Sequence, residues 1–463
     1  MSLPFVNRDD ELAALQTWWG RPRASMCLVW GRRRVGKTLL LERFALGKRA
    51  VFHIGRGAPV RAELRALSRQ VAAVGDSGLR DLDRRPFVDW EDALEHLFAL
   101  GGSEPLLLVL DEFPELVKSE AQLEGVLRAM WDRARSVTKL RIVVCGSAVR
   151  TMQAMAEQRS PLYGRFDLVL PVRPFRPHEA ALMLAPLAPA DRALVWGVCG
   201  GVPLYLSWWD TAADIRTNLR RLVCTPGGAL LTEGELVLAT EGTTSGLARL
   251  ALHAIATGST QHSEIRQALG DPGQVARVLG ALEELGLVER IVPVTEDPRR
   301  RGGRTTYRIL DNFLAFWLGL VAPYRSEIER GLGEGILSVL LQRLDDHMGP
   351  RWEEAFRGHL RRMAADGLLG EAVTRIGPFW TRSGAPVEID AVALAGRSNE
   401  AVLVGEAKWR RTVNGRLLAR ELEVKARALP KRAPLLRIAI AAREAVTDPG
   451  DDLAITAADV FGG

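Results

Sequence analysis

The chain has 463 residues, 47% of them hydrophobic and 25% charged, and a formal net charge of +6. That composition excludes a disordered or collagen-like chain, and the length asks for about three domains rather than one core. No apolar stretch reaches the ~20 residues of a membrane span, and the opening MSLPFVNRDDEL lacks a signal peptide's apolar segment, so no membrane partner is expected. Four cysteines, Cys27, Cys145, Cys199 and Cys224, stand far apart without metal-ligand spacing. Reduced thiols and a cytoplasmic location are expected, and the positive charge permits nucleic acid as a partner without demanding it.

The first predicted strand is Met26–Trp30, and it runs straight into GRRRVGKT, residues 31–38. This fits G-x-x-x-x-G-K-[ST], the loop that wraps a nucleoside triphosphate. Gly31 and Gly36 let the backbone turn its N–H groups toward phosphate oxygens. Lys37 brings a charge to the β- and γ-phosphates, the Thr38 hydroxyl can ligate Mg²⁺, and the following helix adds its positive N-terminal end. Further predicted strands at Ala50–Ile54, Leu106–Leu110, Leu140–Cys145 and Asp167–Pro171 alternate with amphipathic helices, which implies a parallel sheet covered by helices.

The run Leu106–Leu110 is apolar throughout, as a strand buried on both faces should be, and it ends in Asp111-Glu112. At that strand end Asp111 can hold Mg²⁺ through water, and Glu112 can orient or deprotonate the attacking water. Leu140–Cys145 runs into Gly146-Ser147, where Ser147 either senses the γ-phosphate beside Asp111 or belongs to an ordinary turn. ATP or GTP binding with Mg²⁺, followed by hydrolysis, is the expected chemistry.

Beyond residue 240 come three amphipathic stretches, Ser245–Thr257, Gln261–Leu269 and Gly273–Leu285. Two β-like runs, VERIVPV and RTTYRIL, then flank the charged loop DPRRRGGR. This is the outline of a winged helix-turn-helix. Arg299, Arg300, Arg301 and Arg304 would sit on the wing, either against DNA phosphates or simply in solvent while the module packs on protein.

A second chemistry follows. Asp390, in VEID before AVALA, precedes the run AVLVG and then Glu406-Ala407-Lys408. Residues two apart on a strand share a face, so Glu406 and Lys408 project together, and Asp390 on a neighbouring strand can complete a carboxylate pair for Mg²⁺. Lys408 would orient water at a scissile phosphate. That is the PD-(D/E)XK nuclease constellation, with Glu353 or Glu354 of RWEEAFRGHL as a further acid and Lys425 on the following helix.

FVNRDDEL, GRRRVGKT, LLLVLDEFPEL, VVCGSAV, SPLYGR and GGVPLYL, in that order, resemble the archaeal-type ATPase family, a branch of the AAA-related STAND nucleotide switches. The resemblance implies that Asn7 and Arg8 lie near adenine and ribose and that Pro203 approaches the nucleotide from a helical lid. It also implies that Arg165 acts as a γ-phosphate-sensing or finger arginine. For each there is a local alternative: Arg8 and Arg165 pairing with carboxylates, and the GGVP segment as a helix-stop turn.

The C-terminal segment resembles the restriction-endonuclease-like domain that follows many such ATPases, although EID replaces the Pro-Asp pair. The expected architecture is an α/β chain of four parts: a P-loop core at 1–175, a helical lid at 176–240, a winged helix-turn-helix at 241–322 and a PD-(D/E)XK-like domain at 323–463. Two functions stay open, an ATP-controlled enzyme acting on DNA and a non-cleaving switch that binds DNA or a protein partner. The chain could also work as a homo-oligomer.

Overall fold

The apolar runs of the N-terminal half become one parallel sheet, because strands with no polar face must be covered on both sides. The computed structural model describes residues 5–74, 81–240, 245–270, 273–299, 304–370, 372–381 and 386–462. They form two units, Met1–Arg173 and Pro174–Gly463.

The first unit runs α1 (Asp9–Trp19), β1 (Ser25–Trp30), α2 (Lys37–Ala45), β2 (Ala50–Ile54), α3 (Val60–Ala73), α4 (Trp90–Leu100) and β3 (Leu106–Asp111). It continues through α5 (Phe113–Ser119), α6 (Leu123–Ala134), β4 (Leu140–Gly146), α7 (Val149–Met155) and β5 (Leu168–Pro171). The sheet order is β2-β3-β4-β1-β5, with every neighbouring pair parallel. Alternate residues of the central strands feed two separate cores. Met26, Leu28, Leu106, Leu108, Leu110, Ile142 and Val144 pack on one face. Cys27, Val29, Leu107, Val109, Val143 and Cys145 pack on the other. Because the strands run parallel, their C-terminal ends, and so Gly31, Asp111 and Ser147, lie along one edge of the sheet.

The second unit opens with five helices, α8 (Pro177–Met183), α9 (Pro189–Cys199), α10 (Pro203–Trp208), α11 (Ile215–Leu222) and α12 (Ala229–Thr240). Next come α13 (Gly246–Ala256), α14 (His262–Leu269), α15 (Val275–Glu284) and an antiparallel hairpin, β6 (Val288–Ile291) with β7 (Thr306–Ile309). From α16 (Asn312–Phe316) the chain passes through short turns and α17 (Arg325–Glu327) into α18 (Gly333–Ala365), 33 residues long with Pro350 inside.

A second sheet follows, made from β8 (Val373–Trp380), β9 (Glu388–Ala395), β10 (Glu400–Lys408), β12 (Arg432–Ala442) and β14 (Leu453–Ile455) in the order β14-β12-β10-β9-β8. β11 (Thr412–Asn414) pairs with β13 (Ala445–Thr447), and α19 (Gly415–Ala426) and α20 (Ala457–Phe461) complete the unit. Strands β8, β9 and β10 are antiparallel neighbours, whereas β10, β12 and β14 run parallel. Phe356 of α18 lies against Gly405, where an added Cβ would stand 2.6 Å from the ring, so this close approach of helix to sheet requires glycine. Among the described residues no helix is long and apolar enough to cross a membrane.

Candidate functional site

The phosphate loop joins β1 to α2 and is shaped by two glycines, one in a close approach and one in left-handed backbone geometry. A Cβ on Gly31 would lie 2.1 Å from the Val172 carbonyl oxygen, and Gly36 sits at φ 89°. Lys37 is buried, and its Nζ donates to the Gly31 and Arg32 carbonyls at 2.9 and 3.0 Å, which arches the loop over its own ammonium group. Thr38 Oγ1 donates to Asp111 Oδ2 at 2.6 Å, while Asp111 Oδ1 accepts from the Glu112 N–H at 2.9 Å. A hydroxyl and a carboxylate this close can both reach one hard cation, and Mg²⁺ prefers such oxygen ligands. The residues therefore fit the metal that accompanies a nucleoside triphosphate.

Glu112 adopts left-handed backbone geometry, φ 48°, a conformation that costs an L-residue roughly 1–2 kcal/mol. Its Oε2 accepts from both the Oγ (2.8 Å) and the N–H (3.3 Å) of Ser147. Asn7, Arg8 and Arg34 also have positive φ, at 59°, 78° and 70°. Strain of this kind persists where the surroundings over-determine it, as at binding sites. Behind the loop, Arg8 is buried and donates to the Val35 carbonyl, the Arg173 carbonyl and Glu11 Oε1, each at 2.8 Å. It ties the back of the loop to the end of the first unit.

Arg165 donates to Asp132 Oδ2 at 2.8 Å and to the Tyr163 carbonyl at 2.6 Å, and the pairing holds the Asp132 carboxyl below its usual range. Pro203 is the first residue of α10 in the second unit, after Gly200 and Gly201 at φ 70° and 69°. A Cβ on Gly201 would meet the Phe175 carbonyl oxygen at 2.1 Å, so the GGVP segment is a closely packed turn.

In the second unit, the antiparallel register pairs Gly405 with Ala391, and one step further sets Glu406 opposite Asp390. Directly opposed residues share a face. Asp390 and Glu406 are both buried, and Asp390 Oδ2 accepts from the Ala407 N–H at 2.9 Å. Lys408 Nζ lies 2.6 Å from Glu406 Oε1, and Lys425 Nζ lies 3.1 and 3.0 Å from its two oxygens. Burial, with Glu406 alongside, pushes Asp390 up to about 6. Burial and Asp390 together push Glu353 up to about 7. Among the described residues no three His, Cys, Asp or Glu gather closely enough to hold a metal ion alone. Mg²⁺ is commonly bound by one or two carboxylates, with water and substrate phosphate supplying the rest, and the pair Asp390 and Glu406 fits that mode.

Glu353 and Glu354, the two candidates for a further acid, have different surroundings. Glu354 accepts from Arg308 (2.9 Å), Arg357 (3.1 Å) and Arg361 (2.8 Å). Burial alone would raise its pKa, but the three guanidinium groups hold it at about 2. Among the described residues Glu353 pairs with a single arginine, Arg357 at 3.6 Å, and feels the charges of Asp390, Glu388 and Lys408 as well. Arg357, buried, donates to the Asp390 carbonyl at 2.7 Å, so a chain of contacts runs from the hairpin through Arg308, Glu354 and Arg357 to Asp390. Sequence reasoning missed Arg308 and Arg357. The spacing of Arg357 from Glu353 and Glu354 by four and three helical residues was the available signal.

Of the expected wing residues, Arg300 and Arg301 lie outside the described residues. Arg299 is exposed, and Arg304 is engaged by Glu296 at 2.6 Å and by the Trp380 carbonyl at 3.0 Å. Charge is concentrated elsewhere. Residues 408–443 hold eleven Lys and Arg against two Glu and no Asp, more positive than the whole chain's +6. Arg410, Arg416, Arg420, Arg427, Lys431 and Arg432 in that stretch are all exposed.

Residues 5–208 match the model of an ATPase domain found predominantly in archaea. This region is an archaeal-type ATPase domain. Residues 317–422 match a family of archaeal and bacterial proteins of unknown function. An uncharacterized protein of Methanocaldococcus jannaschii is 24% identical over 413 residues, which cover 88% of each chain. A Walker-type ATPase of Pyrococcus abyssi is similar in structure, with a TM-score of 0.52, 20% identity, and coverage of 68% of this chain and 96% of that one. At this identity the likeness is one of fold. The α/β fold with a parallel P-loop sheet, and the ATPase class of the enzyme, follow from the archaeal-type domain and the loop geometry together.

Proposed function

We propose that the chain is an ATP-driven switch acting on DNA, in which the archaeal-type ATPase domain controls a Mg²⁺-dependent phosphodiesterase site at Asp390, Glu406 and Lys408. The observation that carries this reading is the buried pair of opposed carboxylates with an ammonium group 2.6 Å from one of them. Two acids can hold a cation that stabilises charge building on a phosphate, and Lys408 can orient water opposite the leaving oxygen.

In the ATPase domain, Thr38 and Asp111 hold Mg²⁺, Lys37 covers the β- and γ-phosphates, and Glu112 activates water. Ser147 senses the γ-phosphate, Arg8 braces the loop, and Pro203 belongs to a lid. The exposed cations within 408–443 supply a phosphate-binding surface of the kind that makes affinity for DNA salt-dependent. Arg299, Arg300, Arg301 and Arg304 are a second, smaller source of such contacts.

The deciding experiment is a plasmid-nicking assay with Mg²⁺ or Mn²⁺ and ATP. Wild type should nick, and Glu406→Ala should not. A second reading, a non-cleaving switch, is favoured by one feature: Glu406 carries two lysines, Lys408 and Lys425, which already balance its charge. No cutting of duplex, single-stranded or branched DNA by wild type, with DNA binding retained, would select it.

A further inference from the structure

Three side chains line up across the ends of three adjacent strands. The phosphate loop leaves β1 at Trp30, whose register partner on β4 is Gly146, so the loop starts beside Ser147. Arg33, inside the loop, places its Nε 3.4 Å from Ser147 Oγ, and Ser147 Oγ is 2.8 Å from Glu112 Oε2 at the end of β3. A contact of 3.4 Å is long for an N–H···O bond, and it involves only one of the guanidinium's nitrogens. The Arg33 side chain is exposed and has no other partner among the described residues. Its neighbour Arg34 turns the backbone through φ 70°, a costly conformation retained within the loop.

We propose that Arg33 is a catalytic residue of the ATPase, acting within its own chain on the γ-phosphate. Hydrolysis forms a bond from water oxygen to the γ-phosphorus and breaks the bond to the β,γ-bridging oxygen, whose electron pair leaves with ADP. The water proton passes to Glu112. Negative charge spreads over the three equatorial oxygens of the transferring group, and catalysis consists largely of positioning and of stabilising that charge.

Lys37 lies on one side, held by the Gly31 and Arg32 carbonyls. Arg33 reaches the strand ends where Ser147 and Glu112 meet, and its planar fork of donors suits two phosphate oxygens at once. Moving its Nε from Ser147 to phosphate leaves the Ser147 hydroxyl still donating to Glu112, so the orientation of that carboxylate is kept. Arg165, the arginine the resemblance points to, is already held by Asp132 and the Tyr163 carbonyl.

The proposal rests on the phosphate loop being the ATP site, and Lys37→Ala tests that separately through loss of ADP binding. Arg33→Ala should bind ADP as wild type does, with KM within a few-fold, while kcat falls on the order of 10²–10³-fold. Wild type should trap ADP with aluminium fluoride as a transition-state mimic, and Arg33→Ala should not. Arg33→Lys should recover little, because one ammonium cannot replace the fork, whereas added free guanidinium should partly restore Arg33→Ala. A kcat within about threefold of wild type, intact trapping, or ADP binding lost along with turnover in Arg33→Ala would overturn the proposal. So would a collapse of kcat in Arg165→Ala with Arg33→Ala unaffected.

Discussion

The acids of the two units are held in opposite ways. Around the phosphate loop, Asp111 and Glu112 accept from neutral donors, the Thr38 and Ser147 hydroxyls and two backbone N–H groups. In the second unit, Glu406 sits between two ammonium groups, and Asp390 feels the charges of Glu406 and Glu388. Neutral donors orient a carboxylate while leaving its charge for a cation. Ammonium groups satisfy the charge itself, and a cation must then displace them or share the acid with them. The first arrangement is poised for a metal–nucleotide substrate. The second is poised between metal binding and a self-sufficient ion cluster.

The sharpest break in this comparison comes at the loop. Lys37→Ala should abolish phosphate release, because no other charge stands at the β,γ-phosphates, and nucleotide binding should weaken with it. Glu112→Gln should instead keep binding and stop turnover by 10²-fold or more, roughly what loss of a general base removes. Unchanged phosphate release in both variants would show that the neutral-donor site is not the hydrolytic one.

Next in size is the contrast between Glu353 and Glu354, neighbours in sequence with opposite shifts. Glu354 is held at about 2, below the ~4.3 of an unfolded glutamate, so it contributes stability above that value and loses it as pH falls through 2. Glu354→Gln should lower stability at pH 7 by about 3 kcal/mol, with the deficit shrinking toward pH 2 in denaturant titrations. Glu353 is raised to about 7, so its contribution is fully present below ~4.3 and is lost as pH climbs through 7. Glu353→Gln should match wild type at pH 4 and exceed it at pH 8 by about 1–3 kcal/mol. Equal pH profiles for the two variants would remove the distinction between a structural hub and a site acid.

The smallest effect concerns DNA. Each phosphate contact on a duplex adds about −0.9 to the slope of log affinity against log salt. Replacing Arg410, Arg420 and Arg427 with Ala should make that slope shallower by up to about three contacts. The same change at Arg299, Arg300 and Arg301 should move it less, since the positive charge is concentrated in residues 408–443. The reverse ranking would return DNA recognition to the wing.

Much of the first unit was legible before any coordinates. Strands such as Leu106–Asp111 and Leu140–Gly146 are apolar at every position, and only a sheet covered on both faces accommodates that. The glycine spacing of residues 31–38 likewise specifies a local backbone shape, and local shape is what a short motif encodes. The sequence alone also placed Glu406 and Lys408 on one strand face, because the two-residue period of a strand is a local property.

Tertiary structure decided the rest. That Arg33 meets Ser147, that Arg8 braces Val35 and Arg173, and that Glu354 gathers three arginines while Glu353 feels the charge of Asp390 all depend on which strands and helices become neighbours. A charged side chain carries no periodic signature of its partner. An arginine paired with a carboxylate and an arginine waiting for a phosphate read alike in sequence, and they part only when packing across distant segments sets what lies within a hydrogen bond's reach.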